Sequence, residues 1–175
     1  MEMTSWGTLV NDLLSGAALP PAVRAELLTL RADPAPGEPY GRRSLHRDDR
    51  GEIMLAGWGA IECAPHDHAG GEGVVHVLAG SFTETEWVWW DGVLCRGPVR
   101  RWVAGDAIPV VTGTIHSMAA HDCGTTLHVY SPPISGMRVF DPVHKETLSV
   151  RDDCGAWIPR RDEMIASRLR WKATR

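Results

Sequence analysis

The sequence predicts an all-β protein, a single sandwich or barrel of short strands preceded by an N-terminal helical segment. From Tyr40 onward, short apolar or alternating segments recur between turn signals such as Asp91-Gly92, as expected of strands joined by tight turns. Glycine (18) and proline (12) are frequent, which suits many turns. The 175 residues correspond to one domain and can bury a sizeable core.

Two helices are predicted in the N-terminal segment, residues 1–37. The first has apolar residues at helical spacing between Leu9 and Leu14, followed by a glycine as a stop signal. The second starts near Pro21, because proline suits a first helical turn. A proline-rich linker at residues 33–37 then interrupts the helical pattern.

The barrel is predicted to cover residues 38–160, and a C-terminal tail covers residues 161–175. Within the tail, residues 162–172 are predicted to form a last basic helix whose charges face solvent. Strands or strand-and-turn segments of the barrel are predicted at residues 53–58, 74–78, 81–90, 93–96, 102–106, 108–111, 114–118, 125–130, 139–140 and 147–150.

Charge and composition exclude several function classes. The net charge of −4 argues against a nucleic-acid partner. No apolar run approaches the ~18 residues of a membrane span, so no membrane partner is expected. The N-terminus lacks the basic and apolar regions of a signal peptide, and we therefore expect a cytoplasmic protein with reduced thiols at its four cysteines.

The sequence Pro65-His66-Asp67-His68 predicts one half of a metal site. Residues two apart on a strand point to the same face, so His66 and His68 would direct two imidazoles at one point. Imidazole is a good ligand for iron, zinc, copper and nickel. A third histidine, His116, follows a second glycine-rich segment farther along the chain.

These segments resemble the two sequence motifs of the cupins. The resemblance implies a single cupin (jelly-roll) β-barrel with metal ligands His66, His68 and His116. In ordinary cupins a glutamate supplies a fourth ligand, and its position here falls at Gly73. If the register of the loop shifted, Glu72 would become the fourth ligand instead. His121 is an alternative to His116 as the third histidine ligand. The matching residues are Gly59, His66, His68 and Gly80 in the first motif and Gly105, Gly113 and His116 in the second.

A narrower resemblance is to the thiol dioxygenases, the cysteine dioxygenase family. Leu127-His128-Val129-Tyr130-Ser131-Pro132-Pro133 resembles that family's LHxYSPP signature, and Tyr40-Gly41-Arg42 resembles its YxR. The resemblance implies catalytic roles for Tyr130 and His128, and a substrate-binding site at Tyr40 and Arg42, in which the arginine holds the substrate carboxylate. The animal enzymes have a cysteine bonded to the tyrosine at the Gly73 position, so Tyr130 is expected to be uncrosslinked.

A metal ion held by three histidines can support the chemistry that this resemblance implies. Three neutral histidines without a carboxylate leave a divalent ion with its full charge and open positions. A substrate thiolate and O2 could occupy those positions if the ion is redox-active, which favours Fe(II) over zinc. Delivery of both oxygen atoms to sulfur gives a sulfinate. The sequence thus predicts an oxidoreductase, a non-haem Fe(II) dioxygenase of L-cysteine whose partners are a small thiol and O2.

Alternatives remain open at this point. The same chemistry on 3-mercaptopropionate or another small thiol is the nearest one, followed by a metal-binding cupin without oxygenase activity and a metal-dependent cupin isomerase. Arg43 or Arg138 would replace Arg42 as the carboxylate anchor if that residue were a surface arginine. The oligomeric state is left open. His76 is expected to be a core or rim histidine rather than a ligand, and His46 and His144 are expected at the surface. Cys95 and Cys123 are expected to be inert.

Overall fold

Two short helices precede twelve strands in the part of the chain that the structure, a computed structural model, describes, residues 6–151 and 154–171. The helices are α1 (Trp6–Leu14) and α2 (Pro21–Thr29). The strands are β1 (Tyr40–Arg47), β2 (Glu52–Trp58), β3 (His66–Asp67), β4 (Glu72–Ala79), β5 (Ser81–Trp90), β6 (Val93–Val103), β7 (Ala107–Val110), β8 (Ile115–Ala120), β9 (Gly124–Ser131), β10 (Arg138–Asp141), β11 (Glu146–Val150) and β12 (Ile165–Arg170).

The strands form two sheets in which every pair of neighbours is antiparallel. Sheet one has the order β1-β2-β9-β4-β7, and sheet two has the order β12-β11-β10-β3-β8-β5-β6. Neighbours such as β2 and β9, or β3 and β8, are far apart in the sequence, as in a jelly roll. The predicted all-β architecture with an N-terminal helical segment is confirmed.

Sheet one buries both of its faces. Its inner face packs on sheet two, and its outer face is covered by α1 and α2. Because side chains alternate along a strand, β9 serves both layers: Leu127 and Val129 pack under the helices, and Tyr130 points between the sheets. The core between the sheets includes Trp58, Val75, Phe82, Met118 and Tyr130.

The helical segment is attached to sheet one by polar contacts as well as apolar ones. His76 of β4 is buried, and its Nε2 donates to the carbonyl of Leu13 at the end of α1 at 2.9 Å. Arg24 of α2 donates to the carbonyl of Leu78 at 2.6 Å. The expectation that His76 is a core histidine is therefore confirmed. Among the described residues, no helix is long and apolar enough to cross a membrane.

The hairpin of β5 and β6 is longer than the sequence pattern predicted. Residues 93–96 and 102–103 belong to one eleven-residue strand. Its register shifts between Thr85 and Trp87 of β5, opposite the Gly97-Pro98 pair. β6 is the edge strand of sheet two, and a proline without an N–H is tolerated at such an edge and at a bulge.

The predicted basic helix at residues 162–172 is wrong. A 3₁₀ turn at Asp162–Met164 leads into β12, which pairs with β11. Arg168 of β12 forms an ion pair with the buried Glu146 of β11 at 2.6 Å, and the indole of Trp171 donates to Thr147 at 2.9 Å. Pairing with an otherwise free strand outweighs the weak local helix preference of this arginine-rich segment. Residues 172–175 lie outside the described part of the chain.

Candidate metal centre

Three histidines, two on strands of sheet two and one directly after such a strand, meet in the interior of the barrel. His66 of β3 lies directly opposite His116 of β8, and His68 follows β3. The ring centroids are 4.6 Å apart for His66 and His116, 5.0 Å for His66 and His68, and 5.2 Å for His68 and His116. One ring nitrogen of each lies within 4.8 Å of those of the other two. The three predicted ligands are thus brought into one cluster that can hold a metal ion.

Alternation about Asp67 turns both neighbouring histidines inward. Asp67 itself is buried, and both of its carboxylate oxygens accept hydrogen bonds from the guanidinium of Arg138 on β10. This ion pair anchors the short strand β3 to its neighbour. Arg138, an alternative anchor for a substrate carboxylate, is therefore engaged by Asp67 rather than placed among the residues that line the cavity at the histidines.

The donor atoms of the cluster fit a metal ion. Nδ1 of His66 donates to the carbonyl of Ala64 at 3.0 Å, and Nδ1 of His116 donates to the carboxylate of Glu84 at 2.7 Å, which leaves a lone pair on each Nε2. Burial, together with the neighbouring histidines, holds the pKa values of His66 and His68 well below the usual range. Nε2 of His116 is buried and has no hydrogen-bond partner among the described residues. A buried polar atom without a partner is costly, and a bound cation would remove that cost.

No carboxylate joins this cluster among the described residues. At Gly73, where a fourth ligand would stand, an added Cβ would lie 2.0 Å from the carbonyl oxygen of Val129 and 2.7 Å from Cδ1 of Tyr130. A side chain therefore does not fit there without a backbone shift. Glu72 is exposed and accepts a hydrogen bond from Thr112 at 3.0 Å.

The other histidines are accounted for by different contacts. His121 is exposed and lies within hydrogen-bond distance of Thr83 and Arg101. His46 and His144 lie beside the carboxylates of Asp48 and Asp141, at 3.3 and 2.7 Å. None of these three belongs to the cluster. The geometry therefore does not support His121 as the third metal ligand in place of His116.

A chain of hydrogen bonds leads from sheet one to the cluster. The indole N–H of Trp58 donates to Oγ1 of Thr126 at 2.8 Å, and that hydroxyl lies 2.8 Å from Nε2 of His128. Nδ1 of His128 lies 2.8 Å from the hydroxyl of Tyr130, which in turn is 3.4 Å from Nε2 of His68. The residues at positions 126, 128 and 130 share the inner face of β9, which is why they form one row.

A cavity opens at the cluster, and the two motif segments of sheet one line it together with the histidines. The cavity has a volume of about 60 Å³. Since about 10–15 Å³ suffices for one water, only a small molecule fits. The lining includes every predicted site residue: Tyr40, Arg42, His66, His68, His116, His128 and Tyr130.

Arg42 reaches this cavity from β1 and is held by a distant segment. Its guanidinium donates to the carbonyl of Cys154 at 3.0 Å and lies 5.7 Å from the ring centroid of Trp157. The hydroxyl of Tyr40 accepts a hydrogen bond from the backbone N–H of Ala156 at 2.8 Å. The segment around residues 154–157 thus fastens both side chains of the YxR sequence in place.

The sequence did not reveal several residues that support the site. Glu84 is buried beside His116, Thr126 links Trp58 to His128, and Trp157 packs on Tyr40 and Arg42. For Glu84 the sequence did contain one usable signal: an acidic residue stands at an inward position of β5, two residues after the apolar Phe82. The buried Cys63 is a poor nucleophile, because burial raises the pKa of its thiol to about 12.

Comparison with solved structures identifies the fold. A double-stranded β-helix protein of Klebsiella pneumoniae is 19% identical, with 66% of this chain and 87% of that chain covered and a TM-score of 0.53. The BH2720 protein of Bacillus halodurans is 17% identical, with 66% and 81% covered and a TM-score of 0.52. A cupin superfamily protein of Desulfitobacterium hafniense is 16% identical, with 60% and 85% covered and a TM-score of 0.48.

The likeness concerns the fold alone at these identities. It confirms the predicted jelly-roll barrel, a fold also called the double-stranded β-helix. No protein-family model and no curated protein sequence matches the chain. The chain is therefore a double-stranded β-helix barrel with a three-histidine cluster that can hold a metal.

Proposed function

We propose that this protein is a non-haem Fe(II) thiol dioxygenase that converts L-cysteine and O2 into cysteine sulfinate. The observation that carries the proposal is the position of the Tyr130 hydroxyl, 3.4 Å from Nε2 of His68 and in the same cavity as Arg42. A metal site, a hydroxyl donor and a carboxylate-binding cation then surround a space for one small molecule.

The ligand set favours oxygen chemistry over simple Lewis-acid chemistry. Three neutral imidazoles add no negative charge, so a divalent ion keeps its charge for a thiolate. Held by His66, His68 and His116, Fe(II) would supply the redox chemistry that activates O2. In the overall reaction, RSH and O2 give RSO2H, with both oxygen atoms of O2 transferred to sulfur.

Tyr130 is placed to donate a hydrogen bond into the cavity. Trp58 already donates to Thr126, and the Thr126 hydroxyl can in turn donate to Nε2 of His128. The proton of His128 then resides on Nδ1 and is donated to the oxygen of Tyr130, which frees the tyrosine proton for the occupant of the cavity. Burial lowers the pKa of His128 to about 3 and raises that of Tyr130 well above 10, so both remain neutral.

In this proposal Arg42 binds the carboxylate of the substrate, which its position in the cavity lining supports. A guanidinium offers two parallel N–H groups, a geometry that matches a carboxylate. The Cys154 carbonyl and the Trp157 ring restrict its rotamers, so less side-chain entropy is lost when a substrate binds. With sulfur at the metal and the carboxylate at Arg42, a small thiol carboxylate would contact both groups within the one cavity that they line.

A specific observation favours 3-mercaptopropionate as a second candidate substrate. Glu52 is the acidic side chain among the described residues that line the cavity, and its carboxylate is already 2.9 Å from the guanidinium of Arg47. Among the described lining residues, an ammonium group therefore finds no unengaged carboxylate. A thiol carboxylate without an amine needs no such partner, so its binding is not weakened by the missing carboxylate.

Oxygen consumption by the Fe(II)-loaded protein tests the proposal. Metal-free protein is loaded with Fe(II) without oxygen and then given O2 with L-cysteine, 3-mercaptopropionate or cysteamine. We expect consumption with one or both thiol carboxylates, formation of the matching sulfinate, and little reaction with cysteamine. Zn(II)-loaded protein is the control and should be inactive. Metal binding without oxygen uptake for any thiol would instead support a metal-binding cupin that is not an oxygenase.

A further inference from the structure

Glu84 lies in an unusual position for a carboxylate. It shares the inward face of β5 with the core residue Phe82 and is 6% exposed. Each of its oxygens accepts one hydrogen bond, Oε1 from Nδ1 of His116 at 2.7 Å and Oε2 from the indole of Trp102 at 2.9 Å. A buried carboxylate is costly unless it is hydrogen-bonded and its charge is balanced. The two hydrogen bonds satisfy the first condition.

Arg100 of β6 lies opposite Glu84 in the ladder and offsets part of its charge. A further balancing charge is expected on the far side of the His116 ring. Nε2 of His116 is buried and has no partner among the described residues, and it points to the cluster with His66 and His68. The imidazole therefore stands between an anion on one nitrogen and a place for a cation on the other. A metal ion at Nε2 would give that atom a partner and compensate the charge of Glu84 through the ring.

The three histidines are not equivalent in this respect. His66 donates its Nδ1 proton to a neutral backbone carbonyl, that of Ala64. His68 has the hydroxyl of Tyr130 near its Nε2. Among the described contacts of the cluster, Glu84 is the one carboxylate that accepts from a ligand histidine. Such a partner fixes the tautomer and makes the imidazole a stronger donor to a metal.

From these contacts we infer that Glu84 is a positioning residue of the metal centre. It holds His116 with Nε2 directed at the ion, and its charge strengthens the affinity of the site for a divalent cation. This inference deepens the proposed metal centre and rests on it, but it does not depend on which substrate the ion serves.

The chain provides a matched control on the same strand. Glu86 lies two residues farther along β5, opposite His116 in the ladder, and lines with Glu84 a second cavity beside the cluster. Its carboxylate faces Arg100 at 3.7 Å, and among the described contacts no hydrogen bond joins it to a histidine of the cluster. Glu84→Gln and Glu86→Gln each remove one negative charge with nearly no change of volume. Only the first removes a charge that is hydrogen-bonded to a proposed ligand.

Zinc affinity of the metal-free protein provides a readout that is independent of turnover. Titration of Zn(II) against a competing chelator should give a dissociation constant roughly 10–100-fold higher for Glu84→Gln than for the unsubstituted protein, the usual effect of losing such a partner. Glu86→Gln should stay within roughly 3-fold. Thermal unfolding of the metal-free proteins checks that the difference is not a loss of fold. The Co(II) absorption spectrum should also shift for Glu84→Gln alone, because the donor strength of one ligand changes.

Equal zinc affinity and equal Co(II) spectra for the two glutamine variants would overturn the inference. If Glu84→Gln does not fold, Trp102→Phe decides the question, because it keeps the charge and removes one of the two donors that hold it. That variant should weaken zinc binding by a smaller factor, and an unchanged affinity would contradict the role of Glu84. If the unsubstituted protein binds no divalent ion, the metal centre itself fails and the inference fails with it.

Discussion

The hydroxyl of Tyr130 on β9 lies 3.4 Å from Nε2 of His68, which follows β3 of the other sheet and is 62 positions away in the sequence. A tyrosine so close to a candidate metal ligand would lie beside other groups bound to the same metal. The hydroxyl is fixed from behind by His128 at 2.8 Å, so its proton can point into the cavity. The contact between the two sheets thus joins the metal-binding residues to the proposed proton donor.

Replacing Tyr130 with phenylalanine should slow turnover with little effect on metal content. Loss of one oriented donor costs a few kcal/mol, or roughly 10–1,000-fold in kcat. Iron analysis and steady-state oxygen uptake on the same sample measure both quantities. A variant with full turnover would remove Tyr130 from the mechanism. Thr126→Val removes the hydroxyl that lies 2.8 Å from Nε2 of His128. It should lower kcat by a smaller factor than the loss of the Tyr130 hydroxyl does.

Tyr130 should carry no thioether. The residue paired with it on β4 is Gly73, which has no side chain to form one. The intact mass of the purified protein should therefore equal the mass calculated from the sequence, and one unmodified peptide should contain Tyr130. A mass deficit of two hydrogens in that peptide, linked to any cysteine, is the result that would contradict the prediction.

Replacing Arg42 with alanine should weaken binding of the thiol carboxylate. Loss of a charge-assisted hydrogen-bonded pair is expected to raise KM by roughly 10–100-fold, with a smaller effect on kcat. Arg43→Ala is the matched control, because its exposed side chain follows in the same strand and does not line the cavity. Equal KM values for the two variants would show that Arg42 does not bind the substrate.

Replacing His116 with alanine should abolish tight metal binding. The loss of a direct ligand should exceed the roughly 10–100-fold effect of losing an outer partner. His121→Ala is the control, since His121 is exposed and lies outside the cluster. Retention of one Fe(II) per chain in His116→Ala would disprove the ligand assignment.

Acid should weaken the attachment of α1 through His76. Burial holds the pKa of His76 below the usual 6.5, so the unfolded chain takes up a proton at a higher pH than the folded protein does. The stability from neutral His76 is thus present above pH 6.5 and is lost as the pH falls toward the folded-state pKa. In urea unfolding of metal-free protein at pH 7 and pH 5, His76→Gln should lose less stability between the two values than the unsubstituted protein. An equal loss in both would contradict this account.

The sequence was sufficient for those features that depend on short-range periodicity. A spacing of two places His66 and His68 on one face, as it does Thr126, His128 and Tyr130, and the glycine-rich turns delimit most strands. The C-terminal strand was missed, because residues 165–170 are extended only through pairing with β11. A local pattern contains no information on such a partner.

Contacts between distant segments were equally hidden. Arg42 is held by a hydrogen bond to the carbonyl of Cys154, which lies 112 residues later in the sequence. Glu84 contacts His116 because β5 pairs with β8. Neither can be deduced from the residues around it. Resemblance to known motifs identified the residues at the centre of the site, whereas the three-dimensional structure was needed to find those that hold them.

Isotope labelling of the product tests the central claim most directly. Fe(II)-loaded protein is supplied with L-cysteine and 18O2 in ordinary water, and the mass of the product is measured. A dioxygenase predicts a sulfinate that carries two 18O atoms and a stoichiometry of one O2 per thiol. Formation of cystine alone, or a product with oxygen from water, would contradict the proposed function.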